Sequence, residues 1–321
     1  MNRRVALVTL AAGTVGLSPA RGQARRPILP LVPRPPRTVS GDATIRGRAG
    51  PSDIVITTTS RLAGAIHSVT WNGKEFIDSF DHGRQLQSAV GLDCGDRDFW
   101  AEAYNPTEAG SMRDHTGPTS TSQLIGLQAA KNQLNTITRM AYWLAPGEKS
   151  DRFPAKNTTP LSNVLLTKQV AIGYKNLAHA IDYRVTFSIP ATEPKHTMIQ
   201  FEAVTGYMPE EFSKFWTYDP TTQKLAALSD GPGEQLLPVV FSTANQLSAM
   251  GIWSPEPNAN YGRFRFGPQR VTKWNCVFRE RDPAGVKTGH YSFQMFVSVG
   301  SLKNVTDTIN GLAALWRKGT K

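Results

Sequence analysis

The chain contains few cysteines. Cys94 and Cys276 are the only two in 321 residues, and neither lies in a CxxC or Cys/His pattern. This scarcity excludes a disulfide-rich scaffold and a structural zinc site, because the first needs several bridges and the second needs closely spaced ligands. An even number of cysteines in an exported chain permits one disulfide, and two buried free thiols are the equal alternative.

Long apolar runs and nucleotide-binding motifs are also absent. No stretch approaches the roughly eighteen apolar residues of a membrane-spanning helix, which excludes a multi-span membrane protein. The 22 prolines disfavour an all-helical protein, because proline breaks helix interiors. The sequence contains no GxSxG, HExxH or GxxxxGK[ST] pattern, so we expect no nucleotide-dependent chemistry and no cofactor.

The formal charge of +11 is concentrated near the N-terminus. Residues 1–40 contain seven arginines and no acidic residue. Removing these seven from the 36 basic residues leaves 29 against 25 acidic residues, a net charge of +4 for the rest of the chain. A nucleic-acid-binding domain concentrates Lys and Arg on one surface, whereas here they are scattered among acidic residues. We therefore expect no nucleic-acid partner.

The first 24 residues have the organisation of a secretory signal peptide. Arg3 and Arg4 form a basic start, 5–17 is an apolar segment, and small residues lead up to Ala24. This order predicts cleavage after Ala24 and export to the periplasm or the extracellular space. An N-terminal membrane anchor is the alternative, but the apolar segment is too short to span a bilayer comfortably. We expect no integral membrane segment in the mature chain.

The next segment, 25–49, predicts a linker rich in proline and arginine. Five prolines between positions 27 and 36 favour an extended polyproline II conformation. The remaining residues, 50–321, show no internal repeat of fixed period and are predicted to form a single domain.

From residue 53 onward the pattern is that of β-strands. Segments such as 183–189 and 291–297 alternate apolar and polar residues, which is typical of a sheet with one buried face. Asn72 and Gly73 stand between two such segments and predict a hairpin, because a type I′ turn needs positive φ at both positions. Strands and helices do not alternate, so we predict an all-β protein, a large antiparallel β-sandwich.

One helix is predicted, at the C-terminal end of the chain. Ser301 can cap it, and apolar residues recur at helical spacing on one face. These residues are Val305, Ile309, Leu312, Leu315 and Trp316. Such a helix is expected to cover a face or an open edge of the sandwich.

The segment 78–115 is the densest polar region and the first candidate site. Its candidate residues are His82, Arg84, Gln87, Trp100, Tyr104, Asn105 and Glu108. Aromatic rings can stack on sugar rings, Arg, Asn and Gln can hydrogen-bond sugar hydroxyls, and His or Glu can transfer protons. The mixture favours a carbohydrate site, with a solvated surface of weak ion pairs as the alternative.

The same segment offers a second chemical interpretation. Asp93, Asp96 and Asp98 could supply oxygen ligands for calcium, but their spacing is not that of an EF-hand loop. We therefore keep calcium binding as a minor alternative and predict no metal.

A second candidate region lies at 250–256. An apolar strand ends in Trp253, and a turn fixed by proline displays Glu256. The alternative interpretation places Trp253 in the core and Glu256 in a surface turn. Glu202, inside a strand pattern, is a third carboxylate, which can simply face solvent.

The segment 64–75, GAIHSVTWNGKE, resembles the opening hairpin of the galactose-mutarotase-like β-supersandwich superfamily. Gly83-Arg84 is similar to the early loop in which these proteins hold sugar hydroxyls with an arginine, and 253–256 is similar to their late turn with a general-base glutamate. The resemblance could extend over most of 50–320. It implies a β-supersandwich and a carbohydrate or polysaccharide ligand. His179 is the only mid-chain option for the superfamily's central histidine, so the resemblance implies a glycoside-active or sugar-binding member rather than a true mutarotase.

Two functional hypotheses follow. The first is an exported carbohydrate-active enzyme, a glycoside hydrolase, polysaccharide lyase or epimerase, that uses acid/base carboxylates. Its catalytic residues would be His82, Arg84, Glu108 and Glu256, with Gln87, Trp100, Tyr104, Asn105 and Trp253 binding the substrate. The second is a non-catalytic glycan-binding or structural envelope sandwich. The enzyme hypothesis and the glycan-binding hypothesis both require the loop around Arg84 and the turn at Glu256 to meet in one pocket.

The signal-peptide prediction is testable by mass. When the full chain is expressed in a bacterial host, we expect an exported protein that begins at residue 25, since signal peptidase cuts after small residues. Intact-mass analysis and N-terminal sequencing of the periplasmic and medium fractions measure this. The variant Leu10→Arg interrupts the apolar segment and should leave the precursor uncleaved in the cytoplasm. An unprocessed wild-type chain would contradict the prediction.

Overall fold

The structure is a computed structural model that describes residues 39–96, 99–266 and 271–319. The predicted signal peptide and most of the predicted linker lie outside these residues and stay predictions. Among the described residues, no helix combines the length and the apolar character that crossing a membrane requires.

The described residues form 21 β-strands, three short 3₁₀ helices and one α-helix. In chain order the strands are β1 Ala43–Ala49, β2 Ser52–Thr58, β3 Ile66–Trp71, β4 Lys74–Glu75, β5 Leu86–Leu92, β6 Pro106–Thr107, β7 Gln123–Ala130, β8 Gln133–Tyr142, β9 Lys149–Ser150, β10 Phe153–Pro154, β11 Leu161–Tyr174, β12 Leu177–Ile189, β13 Met198–Met208, β14 Lys214–Asp219, β15 Lys224–Leu228, β16 Gly233–Gln235, β17 Val239–Ser242, β18 Ala249–Trp253, β19 Asn260–Phe266, β20 Val271–Arg281 and β21 Gly289–Gly300. The 3₁₀ helices are Ser60–Leu62, Ala101–Tyr104 and Met112–Asp114, and the α-helix, α1, is Leu302–Gly319.

The strand pairings run in two antiparallel series. The first sheet has the order β1-β2-β3-β5-β13-β20-β19-β16, with β4 beside β3. The second sheet has the order β7-β8-β11-β12-β21-β18-β17-β14-β15. Strand β6 pairs with β5 and with β8 and so connects the two sheets, while β9 and β10 form a separate hairpin. The predicted large antiparallel β-sandwich is confirmed.

The predicted hairpin at Asn72 and Gly73 is also confirmed. The two residues have φ values of 50° and 73°, and the strands close directly around them, with Trp71 opposite Lys74. Asparagine and glycine adopt positive φ more readily than other residues, which is why this pair makes the turn.

The core lies between the two sheets and is rich in aromatic rings. Phe201 of the first sheet lies 5.1 Å from Phe187 and 5.1 Å from Phe293 of the second sheet, measured between ring centroids. Because side chains alternate along a strand, the neighbours of these rings point to the opposite face. In β13 this alternation buries Phe201 and turns Glu202 away from the core.

Helix α1 covers the outer face of the second sheet. The hydroxyl of Ser301 accepts a hydrogen bond from the backbone N–H of Asn304 at 3.2 Å and caps the first turn. Val305, Ile309 and Leu312 are fully buried and pack in one cluster with side chains of the second sheet. The predicted helix, its cap and its covering role are confirmed.

The domain begins earlier than the sequence indicates. Strand β1 pairs with β2 along its whole length, from Ala43 opposite Thr58 to Ala49 opposite Ser52. The predicted linker boundary at residue 49 is therefore corrected: the sheet begins at Ala43. The arginines of this strand face outward while Ile45 is buried, a short alternation that the preceding prolines obscured.

Both cysteine thiols are free. Cys276 is buried in β20, and Cys94 lies in the turn after β5. Burial raises the pKa of the Cys94 thiol to about 12, so it stays protonated near neutral pH. Of the two alternatives for Cys94 and Cys276, the structure thus has two free thiols and no disulfide between them.

Packing against Trp274 predicts a specific effect of one glycine. Gly206 lies opposite Trp274, and a Cβ added there would lie 2.4 Å from a carbon of the indole ring. Because Trp274 is buried and has no room to move, Gly206→Ala should lower the free energy of unfolding by roughly 1–3 kcal/mol, measured by urea denaturation. Gly126→Ala is the matched control, since nothing lies within 4 Å of its added Cβ. Equal stability of the two variants would contradict this packing.

Candidate functional site

A cavity of about 480 Å³ opens on the outer face of the first sheet. Strands β5, β13, β20, β19 and β16 form its floor, and two loops with Trp143 form its walls. The polar and aromatic lining residues are Asp81, Arg84, Gln87, Trp100, Glu102, Asn105, Thr107, Trp143, Gln200, Glu202, Thr205, Tyr207, Glu234, Phe264, Phe266, Lys273, Asn275 and Arg279. A cavity of this size with convergent polar groups is the usual form of a small-molecule site.

A β-bulge in β13 brings the polar residues of that strand to one side. Glu202 and Thr205 both line the cavity although three positions separate them. The register of β13 shifts at this point against both of its neighbours, β20 and β5. In a regular strand, side chains three positions apart point to opposite faces. The extra residue of the bulge shifts this alternation by one position, so Thr205 points to the same face as Glu202. Bulges are over-represented next to active sites, because they redirect side chains in this way.

The centre of the floor is an ion pair between adjacent strands. Nζ of Lys273 lies 3.1 Å from Oε2 of Glu202, and the hydroxyl of Thr205 donates to the same oxygen at 2.7 Å. Burial alone would raise the pKa of Glu202, but the Lys273 ammonium and hydrogen bonds from neighbouring side chains outweigh it and hold the pKa below its ordinary value. Glu202 is therefore an ionised carboxylate at neutral pH.

Lys273 and Tyr207 keep their protons at neutral pH. Burial alone would lower the pKa of Lys273, but Glu202 and Tyr207 raise it above its ordinary value. Burial raises the pKa of Tyr207. Lys273 also lies over the rings of Tyr207, at 5.3 Å, and Phe264, at 5.5 Å, which favours the cationic ammonium. The floor thus offers a proton acceptor beside two proton donors.

A second ion pair spans the floor toward β16. The two terminal nitrogens of Arg279 donate to the two carboxylate oxygens of Glu234 at 2.7 Å each. Nε of Arg279 donates to the amide oxygen of Gln200 at 2.8 Å. This bidentate geometry holds the guanidinium in one orientation. The hydrogen bonds to Glu234 raise the pKa of Arg279.

Aromatic rings stand at the two ends of the floor. On the β5 side, the indole of Trp100 is 38% exposed and stacks on Phe153 with 5.1 Å between centroids. Its Nε1 donates to the hydroxyl of Ser150 at 3.0 Å. On the β19 side, Phe264 and Phe266 stack at 5.9 Å. Both ends therefore present flat apolar surfaces that are held in place by a second ring.

Four of the predicted site residues line this cavity. They are Arg84, Gln87, Trp100 and Asn105. Nε of Arg84 lies 3.3 Å from a carboxylate oxygen of Asp81, and the amide of Gln87 donates to the carbonyl of Gly83 at 3.1 Å. The amide of Asn105 donates to the carbonyl of Val90 at 2.9 Å. Their roles toward a ligand stay predictions.

His82 is not at the cavity. Its ring is buried, with Nδ1 2.5 Å from the carbonyl oxygen of His115 and Nε2 2.9 Å from that of Arg61. An extended strand over 82–88 would place His82 and Arg84 on one side, but β5 begins only at Leu86. The preceding residues form a turn, and the imidazole ties this turn to two other loops.

Glu108 and Tyr104 are buried away from the cavity as well. One oxygen of Glu108 accepts from the backbone N–H of Ser88 at 3.1 Å, and the other pairs with the ammonium of Lys168. Both side chains of this pair have no solvent exposure. The hydroxyl of Tyr104 donates to Glu193 at 2.9 Å. The proposed roles of Glu108 in catalysis and Tyr104 in substrate binding are therefore corrected to structural ones.

Trp253 ends β18 of the second sheet, and Glu256 lies in the turn that follows it. Glu256 accepts from the backbone N–H of Gln294 in β21 at 3.0 Å, and burial raises its pKa. Trp253 is buried and packs on Phe296 and on Trp316 of α1. Neither residue lines the cavity. The predicted pocket that joins the Arg84 loop to the Glu256 turn, and with it the pairing of Glu108 with Glu256, was wrong.

The two described aspartates of the calcium interpretation, Asp93 and Asp96, are engaged by other groups of the protein. The carboxylate of Asp93 accepts from the backbone N–H groups of Gly95, at 3.0 Å, and Thr197, at 2.9 Å. Asp96 pairs with Lys156 at 3.2 Å, and Asp98 lies outside the described residues. In the part of the chain that is described, no group of three or more His, Cys, Asp or Glu side chains is arranged to hold a metal ion.

Sequence reasoning missed most of the floor. The sequence pattern presents Glu202 only as a carboxylate that can face solvent, and it does not single out Tyr207, Glu234, Lys273 or Arg279. Polar residues at alternate positions of otherwise apolar strands, as at 273, 275 and 279, are the signal that could have found them. In β13 the bulge breaks this alternation and hides the signal.

Comparisons with known proteins return structural neighbours only. No family model matches the sequence, and no curated protein matches it. Among solved structures, the chain is similar to a candidate aldose 1-epimerase from Escherichia coli K12 (8% identity, 81% of this chain and 100% of that chain, TM-score 0.45). It is also similar to a galactose mutarotase related enzyme from Lactobacillus acidophilus (10% identity, 81% and 97%, TM-score 0.44).

A third neighbour is a protein in the Glycosyl Hydrolase Family 38 from Enterococcus faecalis (12% identity, 83% of this chain and 33% of that chain, TM-score 0.48). These neighbours include the mutarotase-like structures named by the resemblance of 64–75. Every one of these TM-scores lies below 0.5, so none of these similarities assigns a function to this chain.

The Glu108–Lys168 pair predicts a large effect on stability. Lys168→Ala leaves the buried carboxylate of Glu108 without its counter-charge, so we expect a loss of roughly 3–5 kcal/mol in the free energy of unfolding. Urea denaturation followed by circular dichroism measures it. The exposed pair of Lys303 and Asp307 provides the control, because Lys303→Ala should cost less than about 1 kcal/mol.

A second variant distinguishes the lost charge from lost packing. The double substitution Glu108→Leu and Lys168→Met removes both charges and should recover part of the loss. If Lys168→Ala is as stable as the Lys303→Ala control, Glu108 is not held in the way described.

Proposed function

We propose that the cavity on the first sheet binds a carbohydrate and that the chain is an exported carbohydrate-active protein. The observation that carries the proposal is the placement of exposed aromatic rings at both ends of a floor that bears carboxylate, ammonium, guanidinium and amide groups. The C–H faces of a sugar ring pack against aromatic rings, and its hydroxyls donate to and accept from such polar groups. The proposed signal peptide suits a ligand found outside the cytoplasm.

Acid/base chemistry at the floor is part of this proposal. Glu202 is the proton acceptor, and Tyr207 or Lys273 is the proton donor. The pKa shifts give each group the protonation state that its role requires, because Glu202 is kept ionised while the other two groups are kept protonated. The same shifts make Glu202 a weaker base and Tyr207 and Lys273 weaker acids, so the roles are proposed from the position of these groups on the floor. These three residues replace the carboxylate pair that the sequence suggested.

A non-catalytic glycan-binding protein is the second candidate. One observation favours it: Lys273 and Thr205 both engage Oε2 of Glu202, which leaves fewer lone pairs of the carboxylate for a substrate proton. Binding without turnover would then be the activity of the same cavity.

Substitutions in the cavity distinguish these two activities. Trp100→Ala removes an exposed stacking surface and should weaken glycan binding at least about tenfold. Glu202→Gln keeps the shape but removes the proton acceptor, so it should abolish turnover while binding changes by less than about tenfold. Calorimetry against a panel of oligosaccharides measures binding, and mass spectrometry of the products measures turnover.

The control for this experiment is Glu256→Gln. It makes the same chemical change at a carboxylate outside the cavity and should leave both readouts unchanged. If Glu202→Gln retained full turnover, Glu202 would not be the acceptor. Binding without turnover by the wild-type protein would select the second candidate, and a wild-type protein that binds no member of the panel would remove the carbohydrate proposal.

A further inference from the structure

The cationic groups of the cavity are already paired with carboxylates. Among the described lining residues, each arginine or lysine lies near a carboxylate of the same lining. The pairs are Arg279 with Glu234 at 2.7 Å, Lys273 with Glu202 at 3.1 Å and Arg84 with Asp81 at 3.3 Å. At the described part of the lining, a ligand that enters therefore meets ion pairs rather than uncompensated positive charge.

The described lining carries four carboxylate side chains and three basic side chains. Its fourth carboxylate is Glu102, which accepts a hydrogen bond from the hydroxyl of Ser150. Asp78, which does not line the cavity, places a further carboxylate 3.5 Å from Arg84. In a partly enclosed site, charges are screened less than in water, so this excess of negative charge repels an incoming anion.

The pair of Arg279 and Glu234 shows why the cations are not available to an anion. Both terminal nitrogens of the guanidinium donate to Glu234, and Nε donates to Gln200. A ligand carboxylate would have to displace Glu234 or lie beside it, and both cost free energy. A hydroxyl group, in contrast, can donate to the carboxylate and accept from the guanidinium without adding charge.

We propose that the cavity selects an uncharged saccharide and discriminates against uronates and other anionic sugars. This inference rests on the proposed carbohydrate function and adds its substrate class. The discrimination comes from the acidic member of each ion pair, which repels the anion while its partner is neutralised.

Matched ligands test the proposal directly. The probes are tetrasaccharides of galacturonate, glucuronate and mannuronate, each as the free acid and as its methyl ester, together with the neutral galactose, glucose and mannose tetrasaccharides. An acid and its ester share ring and linkage and differ in charge. For the ring type that binds, we expect the uncharged forms to bind at least about tenfold more tightly than the acid in calorimetry. Their affinity should stay constant as NaCl is raised, because no charge pair forms with the ligand.

A single substitution should relax the discrimination. Glu234→Gln leaves Arg279 without its carboxylate, so the affinity for the free acids should rise by about tenfold and become salt-dependent. Glu211→Gln is the matched control, because it removes the same charge from a surface pair with Lys74 that does not line the cavity. Its affinities should equal those of the wild type.

Each outcome decides between the two proposals. Tighter binding of free acids than of uncharged forms would overturn the inference and leave the carbohydrate function standing. If no probe in any series bound, both would be overturned. Circular dichroism checks that Glu234→Gln is folded; if it is not, Glu102→Gln, which also lowers the negative charge of the lining, is expected to raise acid binding in the same direction.

Discussion

The bulge in β13 is the constraint on which the site depends. A strand in a sandwich must bury every second side chain, and β13 does so with Phe201 before the bulge and Val204 within it. Without the extra residue, Thr205 would fall out of step with Glu202. With it, both side chains reach the same face, where Lys273 of the neighbouring strand completes the cluster. The polar floor is thus a consequence of how the core-facing residues of one strand are spaced.

Two ion pairs of the same chemical type show how position decides role. Lys168 and Glu108 lie between the sheets with no exposure, whereas Lys273 and Glu202 lie on the outer face with 12% and 18% of their side chains exposed. The first pair is closed to any ligand and can only hold the fold together. The second is shielded enough to shift pKa values and open enough to be contacted. A lysine and a glutamate in a sequence do not reveal which of these environments they will occupy.

Local patterns were sufficient for the architecture. The alternation in β12 and β21, the turn at Asn72 and Gly73, and the apolar face of α1 each depend on residues close together in the chain, and each is confirmed. The four cavity residues predicted from 78–115 share a segment that the fold keeps together. The errors at His82 and Glu108 have a different origin, because a turn and a core ion pair with a residue sixty positions away decide their surroundings.

By itself, the amino-acid sequence determined the antiparallel β-sandwich, its terminal helix and the loop that supplies one wall of the cavity. These features follow from periodicity and turn chemistry, which act over a few residues. Only the tertiary structure decided which acidic residues meet. Strand order places β13, β20, β19 and β16 side by side, whereas the carboxylate of Glu256 accepts a hydrogen bond from the backbone of β21 in the second sheet. Strand order is set by the burial of both sheets at once, and no short stretch of the chain carries that information.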